Sequence, residues 1–198
     1  MNKETTPIDS NMRPDISFVR KAVIEISKVL KQGDLIILES TSSVGTTENI
    51  IKWVSDFRSD LIMPDIKNID NNADINIAYC PERVLPGKIL EELISNDRVI
   101  GGITSTCSKR ATDFYNTFVT GKCLQTNSRT AEMCKLVENS YRDTNIAFAN
   151  ELSIISDKLD IDVWELISLA NRHPRVNILE PGPGVGGHCI AVDPYFII

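Results

Sequence analysis

The feature that most constrains this chain is the segment from residue 130 to about 158, which contains neither glycine nor proline. Glycine and proline are the residues that most often break a helix, so an uninterrupted stretch of this length reads as one helix. At a rise of about 1.5 Å per residue it would span roughly 40 Å. Apolar Met133, Leu136, Val137, Ile146, Phe148, Ala149, Leu152 and Ile155 recur along it. A helix this long serves as a spine between domains or between two copies of a chain. Asp162 can cap a second helix running through Asn171 and stopped by Pro174.

Upstream of Ser128 the pattern is different. Asp15 can cap a helix to about Gln32, with Phe18, Val19, Ala22, Ile26, Val29 and Leu30 at helical spacing. Gly33-Asp34 ends it, and Leu35 to Leu38 reads as a buried strand. Thr46 or Thr47 opens a helix carrying Ile50, Ile51, Val54 and Phe57. Strands are expected at Ile75 to Cys80, ending at Val99-Ile100 before Gly101-Gly102, and at Gly121 to Gln125, with a helix over roughly 106 to 119. This alternation predicts a parallel sheet covered by helices. A dinucleotide-binding domain of that class opens with a strand and a glycine-rich turn. Neither precedes Asp15, so such a domain would begin here partway through. The expected division is residues 1–127, α/β, and 128–198, helical.

Composition narrows the partners. The 198 residues are 42% hydrophobic, and 21 Lys plus Arg against 27 Asp plus Glu leave a net charge of −6. That balance argues against non-specific binding to nucleic acid or to an anionic membrane. No apolar run approaches the ~20 residues of a membrane span, and the polar N-terminus does not read as a signal peptide. Five scattered cysteines, at 80, 107, 123, 134 and 189, contain no C-x-x-C pair. A reducing, cytoplasmic location and no metal site are the expectations.

Several segments could carry chemistry. Pro181-Gly182-Pro183-Gly184-Val185-Gly186-Gly187-His188-Cys189 formally contains G-x-G-x-x-G, but no strand precedes it and Pro183 interrupts it. A loop that lets backbone approach a ligand and presents Cys189 at a tight turn fits better. Asp193 follows Cys189 at i+4, where it could orient water or a proton acceptor. Lys135, Asn139 and Arg142 fall on one helix face: an oxyanion-stabilising pair followed by an anion-binding guanidinium. His173-Pro174-Arg175 follows the second helix. Ser40-Thr41-Ser42 and Pro81-Glu82-Arg83-Val84 follow strands, where α/β sheets bind ligands. Each has a plainer reading, as a core cysteine, a solvated helix face or a turn residue. Their convergence favours a site.

Four ordered segments carry a resemblance: Glu39-Ser40-Thr41-Ser42-Ser43-Val44-Gly45-Thr46-Thr47, Cys80-Pro81-Glu82-Arg83-Val84-Leu85-Pro86-Gly87, Glu132-Met133-Cys134-Lys135-Leu136-Val137-Glu138-Asn139 and Gly186-Gly187-His188-Cys189-Ile190-Ala191-Val192-Asp193-Pro194. Together they resemble the UDP-glucose/GDP-mannose dehydrogenase family. The Pro-Glu-Arg-Val, His-Pro-Arg-Val and Gly-Gly-His-Cys variants are most similar to its branch acting on UDP-N-acetyl-D-mannosamine. The resemblance implies the second half of a Rossmann-like NAD-binding domain followed by a central all-helical dimerisation domain. It also implies two successive NAD-dependent oxidations of a sugar C6 alcohol to a carboxylate.

In that scheme Cys189 forms a thiohemiacetal and then a thioester, while Lys135 and Asn139 stabilise oxyanions. Asp193 and Glu82, with Thr41, position water and move protons. Arg83, Val84, Lys135, Asn139, Arg142, His173, Arg175 and Gly186 would contact a UDP-sugar, and Thr6 and Thr41 would lie near NAD. Complete family members add a first nucleotide-binding half and a closing third domain, so this chain reads as a truncated member. A homodimer through the helix near 130–158 is expected. The alternative is a non-catalytic dimerising fragment or binding module of the same family.

Overall fold

The computed structural model describes residues 14–67, 72–85, 87–184 and 192–197. They form two compact units, described separately below. One comprises the residues up to Lys135 with Tyr195–Ile197, the other Leu136 to Pro194.

The first unit is built on a four-stranded sheet. Its strands β1 (Leu35–Leu38), β2 (Asn76–Tyr79), β3 (Arg98–Gly102) and β4 (Cys123–Asn127) lie in the order β1-β2-β3-β4. Helix α1 (Ser17–Ser27) precedes β1, helices α2 (Thr46–Ser55), α3 (Ile89–Ser95) and α4 (Ser105–Tyr115) connect successive strands, and α5 (Ser128–Lys158) follows β4 directly. The two faces of the sheet take alternate residues, as the pleat requires. Ile36, Leu38, Ile77 and Tyr79 join Val19 and Val23 of α1 and Ile50 and Val54 of α2 in one core layer. Ala78, Cys80 and Ile100 pack with Ala111 and Tyr115 of α4 in the other.

The parallel expectation holds for β1 with β2 and for β3 with β4, but β2 and β3 are antiparallel, with Ala78 opposite Gly102 and Tyr79 opposite Gly101. The physical reason lies in the connection. A parallel crossover needs a helix that carries the chain back along the sheet face while packing on it. Helix α3 has seven residues, a length of about 10 Å, and none of them is buried. The chain therefore turns round beyond the carboxyl end of β2 and re-enters from there. Arg98 anchors the return: it is 1% exposed, its guanidinium lies 5.6 Å over the Tyr115 ring, and Nη2 donates to the Leu93 carbonyl at 2.7 Å.

Helix ends follow local chemistry. Asp15 Oδ1 accepts the Ser17 N–H at 2.9 Å, as the sequence suggests, but α1 stops at Ser27 rather than near Gln32. The Arg58 guanidinium donates to the carbonyls of Ser27 and Leu30, satisfying groups that a continuing helix would use itself. Gly33, at φ +91°, then redirects the chain into β1.

The second unit contains the greater part of α5, then α6 (Val163–Ala170). Helix α5 has 31 residues and runs unbroken, as its composition demands. Asp162 Oδ1 accepts from Trp164 N–H at 2.8 Å and Glu165 N–H at 3.3 Å, capping α6. A 3-10 turn spans Asp193–Phe196. No helix among the described residues is long and apolar enough to cross a membrane.

Candidate functional site

In the α/β unit, candidate residues cluster where β1 and β2 end. These strands are parallel and in register, Leu38 opposite Tyr79, so Ser40–Ser42 and Pro81–Val84 leave the sheet side by side. The two loops are tied together: Cys80 N–H donates to the Leu38 carbonyl at 3.0 Å and Glu82 N–H to the Glu39 carbonyl at 3.3 Å. Thr41 is half-buried in the first loop. In the second, Glu82 Oε1 accepts the Val84 N–H at 2.9 Å, which orients its carboxylate. Arg83 Nη1 donates to the Asp97 carbonyl at 3.3 Å, holding Arg83 against the start of β3.

Helix α5 enters this cluster with its second turn. Lys135 Nζ donates to the Glu82 carbonyl at 2.9 Å. Three residues earlier in the same turn Glu132, fully buried, reaches the other loop: its Oε2 accepts Gly45 N–H at 2.6 Å, and Oε1 accepts Thr47 N–H at 2.8 Å and the Thr47 hydroxyl at 2.6 Å. Gly45 is the N-cap of α2, at φ +95°, and offers no side chain to satisfy the helix's first amides. The Glu132 carboxylate supplies the missing acceptor from outside. Burial pulls its pKa upward, against the hydrogen bonds from Thr47 and Gly45 that favour the charged form. Arg129 adds an exposed pair to Glu48 of α2, with Nε 2.6 Å from Oε1 and Nη2 2.8 Å from Oε2.

In the helical unit, Asn139 and Asp193 are both nearly fully buried, and Asn139 Nδ2 donates to Asp193 Oδ2. Arg142 lies exposed on α5. His173 and Arg175 sit together in an exposed turn in which His173 Nδ1 accepts the Arg175 N–H at 3.3 Å. Asn171 pins that turn from both sides, donating to the Ile178 carbonyl at 2.9 Å and accepting its N–H at 2.7 Å. Thr6, Gly186 and Cys189 lie outside the described residues.

The structure thus brings Lys135 to Glu82 and Asn139 to Asp193, and gathers His173 with Arg175. Sequence reasoning gave no role to Glu132 or Arg98. A glycine at a helix N-cap followed by two threonines was a signal that an acceptor must come from elsewhere in the fold. Two described cysteines are core residues. Cys80 and Cys107 are buried free thiols, and burial pushes the Cys80 thiol up to about 11, far from a thiolate at neutral pH. Among the described residues no group of three or more His, Cys, Asp or Glu could hold a metal ion.

Comparison with known proteins places these features. Residues 4–119 match the NAD binding domain of the UDP-glucose/GDP-mannose dehydrogenase family, and residues 129–198 match its central domain. The chain is 64% identical over 193 residues to a UDP-N-acetyl-D-mannosamine dehydrogenase of Yersinia pestis, covering 98% of this chain and 46% of that protein. It is 58% identical to an NDP-N-acetyl-D-galactosaminuronic acid dehydrogenase of Ralstonia solanacearum, covering 98% of this chain and 45% of that one. The solved UDP-D-ManNAc dehydrogenase from Pyrococcus horikoshii superposes with a TM-score of 0.88 at 41% identity, covering 98% of this chain and 44% of the other. The chain therefore spans somewhat under half the length of these relatives.

Proposed function

Since this chain belongs to the UDP-glucose/GDP-mannose dehydrogenase family, we propose that it forms part of a NAD-dependent nucleotide-sugar 6-dehydrogenase that oxidises UDP-N-acetyl-D-mannosamine to UDP-N-acetyl-D-mannosaminuronate. The observation that carries this reading is the pair of contacts made by α5, Lys135 to the Glu82 carbonyl and Asn139 to the Asp193 carboxylate. Each joins a helix residue to a loop residue that the same chemistry requires.

The loops after β1 and β2 fit the nicotinamide end of a dinucleotide: they offer hydroxyls at Ser40 and Thr41 and the oriented carboxylate of Glu82 on adjacent strand ends. The N-terminus of α2 does not fit the diphosphate, because Glu132 already fills it. Bound NAD would accept the hydride in each of the two oxidations. The Lys135 ammonium, a donor already held by one carbonyl, stabilises the oxygen on which negative charge develops. The Cys189 sulfur adds to the aldehyde carbon as the C=O π bond opens, and the thiol proton passes to the resulting oxyanion, giving a thiohemiacetal whose C–H hydride leaves in the second oxidation. After the second oxidation, water attacks the resulting thioester, the C–S bond breaks, and carboxylate and thiol are released. Asp193, fixed by Asn139, accepts a proton from that water. Arg142, His173 and Arg175 bind the anionic nucleotide.

Supplying UDP-N-acetyl-D-mannosamine and NAD, and following reduced cofactor against uronate, tests the reading. Two reduced cofactors per uronate are expected, and Cys189→Ala should abolish uronate. Uronate made at an undiminished rate by Cys189→Ala would overturn the thiol route. Calorimetric titration with the nucleotide sugar tests binding separately, and a chain that prefers the N-acetylgalactosamine nucleotide would overturn the sugar assignment.

A second reading, a dimerising module of the same family, draws on α5 alone. Met133, Val137, Tyr141, Phe148 and Ile155 are all exposed. At about 100° per residue they share one stripe of the helix, opposite the one bearing Lys135, Asn139 and Arg142. An exposed apolar stripe of this length suits a second copy of the helix. A dimer by light scattering without turnover would favour this reading.

A further inference from the structure

We propose that Glu132 is a positioning residue that locks the Thr41 loop and the Lys135 helix face into one register. Resting on the assignment of Thr41 and Lys135 to the reaction, the inference concerns what holds those two in place. Glu132 itself touches no reacting atom.

Three observations carry it. The carboxylate accepts three hydrogen bonds, from two backbone amides and a hydroxyl, all within three residues of the α2 N-terminus. Such a terminus is an anion site by its orphan amides and its dipole, and here an internal carboxylate fills it. Glu132 is also 0% exposed, so water does not substitute for any of these partners. Finally, Lys135 lies three residues on, nearly one turn along the same face, and grips the neighbouring loop through the Glu82 carbonyl. One turn of α5 therefore holds both loops that follow the parallel strands.

Glutamine at this position keeps the shape but presents an NH2 where an acceptor is needed, leaving one of the amide donors facing another donor. The test uses the full chain and does not depend on turnover. Amide hydrogen exchange is measured in wild type, Glu132→Gln and Thr47→Val, together with the ammonium signal of Lys135 in spectra of 15N-lysine-labelled protein. In Glu132→Gln, protection at Gly45 and Thr47 should fall at least tenfold while amides of β2 and β3 keep theirs, and the Lys135 signal should shift or broaden. Thr47→Val, which removes one donor and leaves the carboxylate, should give a smaller loss at the same two amides and serves if Glu132→Gln fails to fold. Unchanged protection at Gly45 and Thr47 would overturn the proposal. So would a loss spread evenly over the sheet, which means general support, or an unmoved Lys135 signal, which means the two loops are not coupled.

Turnover supplies a separate arm. Wild-type oxidation with kcat lowered about tenfold and KM unchanged in Glu132→Gln supports positioning of the reacting groups, and an unchanged kcat argues against it. Wild type that neither binds nor oxidises the nucleotide sugar defeats the functional reading, while the exchange measurement still decides the role of Glu132.

Discussion

The Lys135 ammonium sits 2.9 Å from the carbonyl oxygen of Glu82, fifty-three residues away in the chain. That contact joins the helix spine to the loop after β2, and its acceptor is a neutral carbonyl dipole rather than a carboxylate. A lysine held by a carbonyl dipole suits a group meant to stabilise a developing oxyanion.

Lys135→Ala should lower turnover by about a hundredfold or more, the usual scale for a positioned proton-transfer or oxyanion group. Its effect on stability should be modest, about 1 kcal/mol for one half-exposed hydrogen bond. Steady-state kinetics beside urea denaturation separates the two, and a large stability loss with undiminished kcat would assign Lys135 to the fold instead.

The Arg129–Glu48 pair makes a pH-dependent contribution. The hydrogen bond from Arg129 holds the Glu48 carboxyl below its ordinary value of 4.5. Its folded pKa is therefore lower than its unfolded one, so the contribution is fully present above the unfolded pKa and is lost as pH falls through the folded one. Arg129→Ala should lower Tm slightly at pH 7, and the difference from wild type should vanish towards acid. A gap that persists at pH 2 would exclude this origin.

Two glycines should respond to alanine for different reasons. At Gly45 nothing lies within 4 Å of a built Cβ, so only the left-handed backbone at φ +95° is strained, and Gly45→Ala should cost about 1 kcal/mol. At Gly101 a Cβ would fall 2.6 Å from Ala131 Cβ and closer still to the Asn127 carbonyl oxygen. That overlap is with backbone and with the first turn of α5, so Gly101→Ala should cost about 3 kcal/mol or more. Chemical denaturation of the two variants gives the order directly, and an equal or reversed ranking would contradict it.

If the apolar stripe of α5 is a self-association surface, Phe148→Glu should convert a dimer to a monomer while leaving helix content unchanged. Light scattering with circular dichroism reads both. A protein monomeric before the substitution would remove the basis for a dimer through this face.

Much of this was legible from sequence because it depends on short-range rules. Leu35 to Leu38 forms β1 at the expected residues, and Asp162 caps α6. The long helix follows from the missing glycine and proline, and begins at Ser128, two residues before the expected residue 130. The antiparallel β3 was not legible, because strand direction is decided by a connection whose helix, α3, carries no clear periodic face. Arg98 went unnoticed for a related reason: an arginine reads as surface until the strand that buries it has been placed. Of the candidate site, motif and spacing single out Lys135, Asn139, Glu82 and Asp193, and the structure pairs Lys135 with Glu82 and Asn139 with Asp193. Glu132 was not legible, since its partners Gly45 and Thr47 are eighty-seven and eighty-five residues away.

The continuity of α5 also bears on how this chain can change over time. Its first turns are fixed on α2, and its later residues carry Asn139 and Arg142. Adding or deleting a single residue between Glu132 and Asn139 would turn everything beyond by about 100° and carry the polar stripe off its side of the rod. Loops absorb such edits and a helix does not. Apart from Lys135 and the buried Leu136, the segment can therefore vary in letters while its length stays frozen, except for paired turns of seven residues that restore the phase. Comparing segment lengths across relatives, rather than residue identities, is where that constraint should be visible.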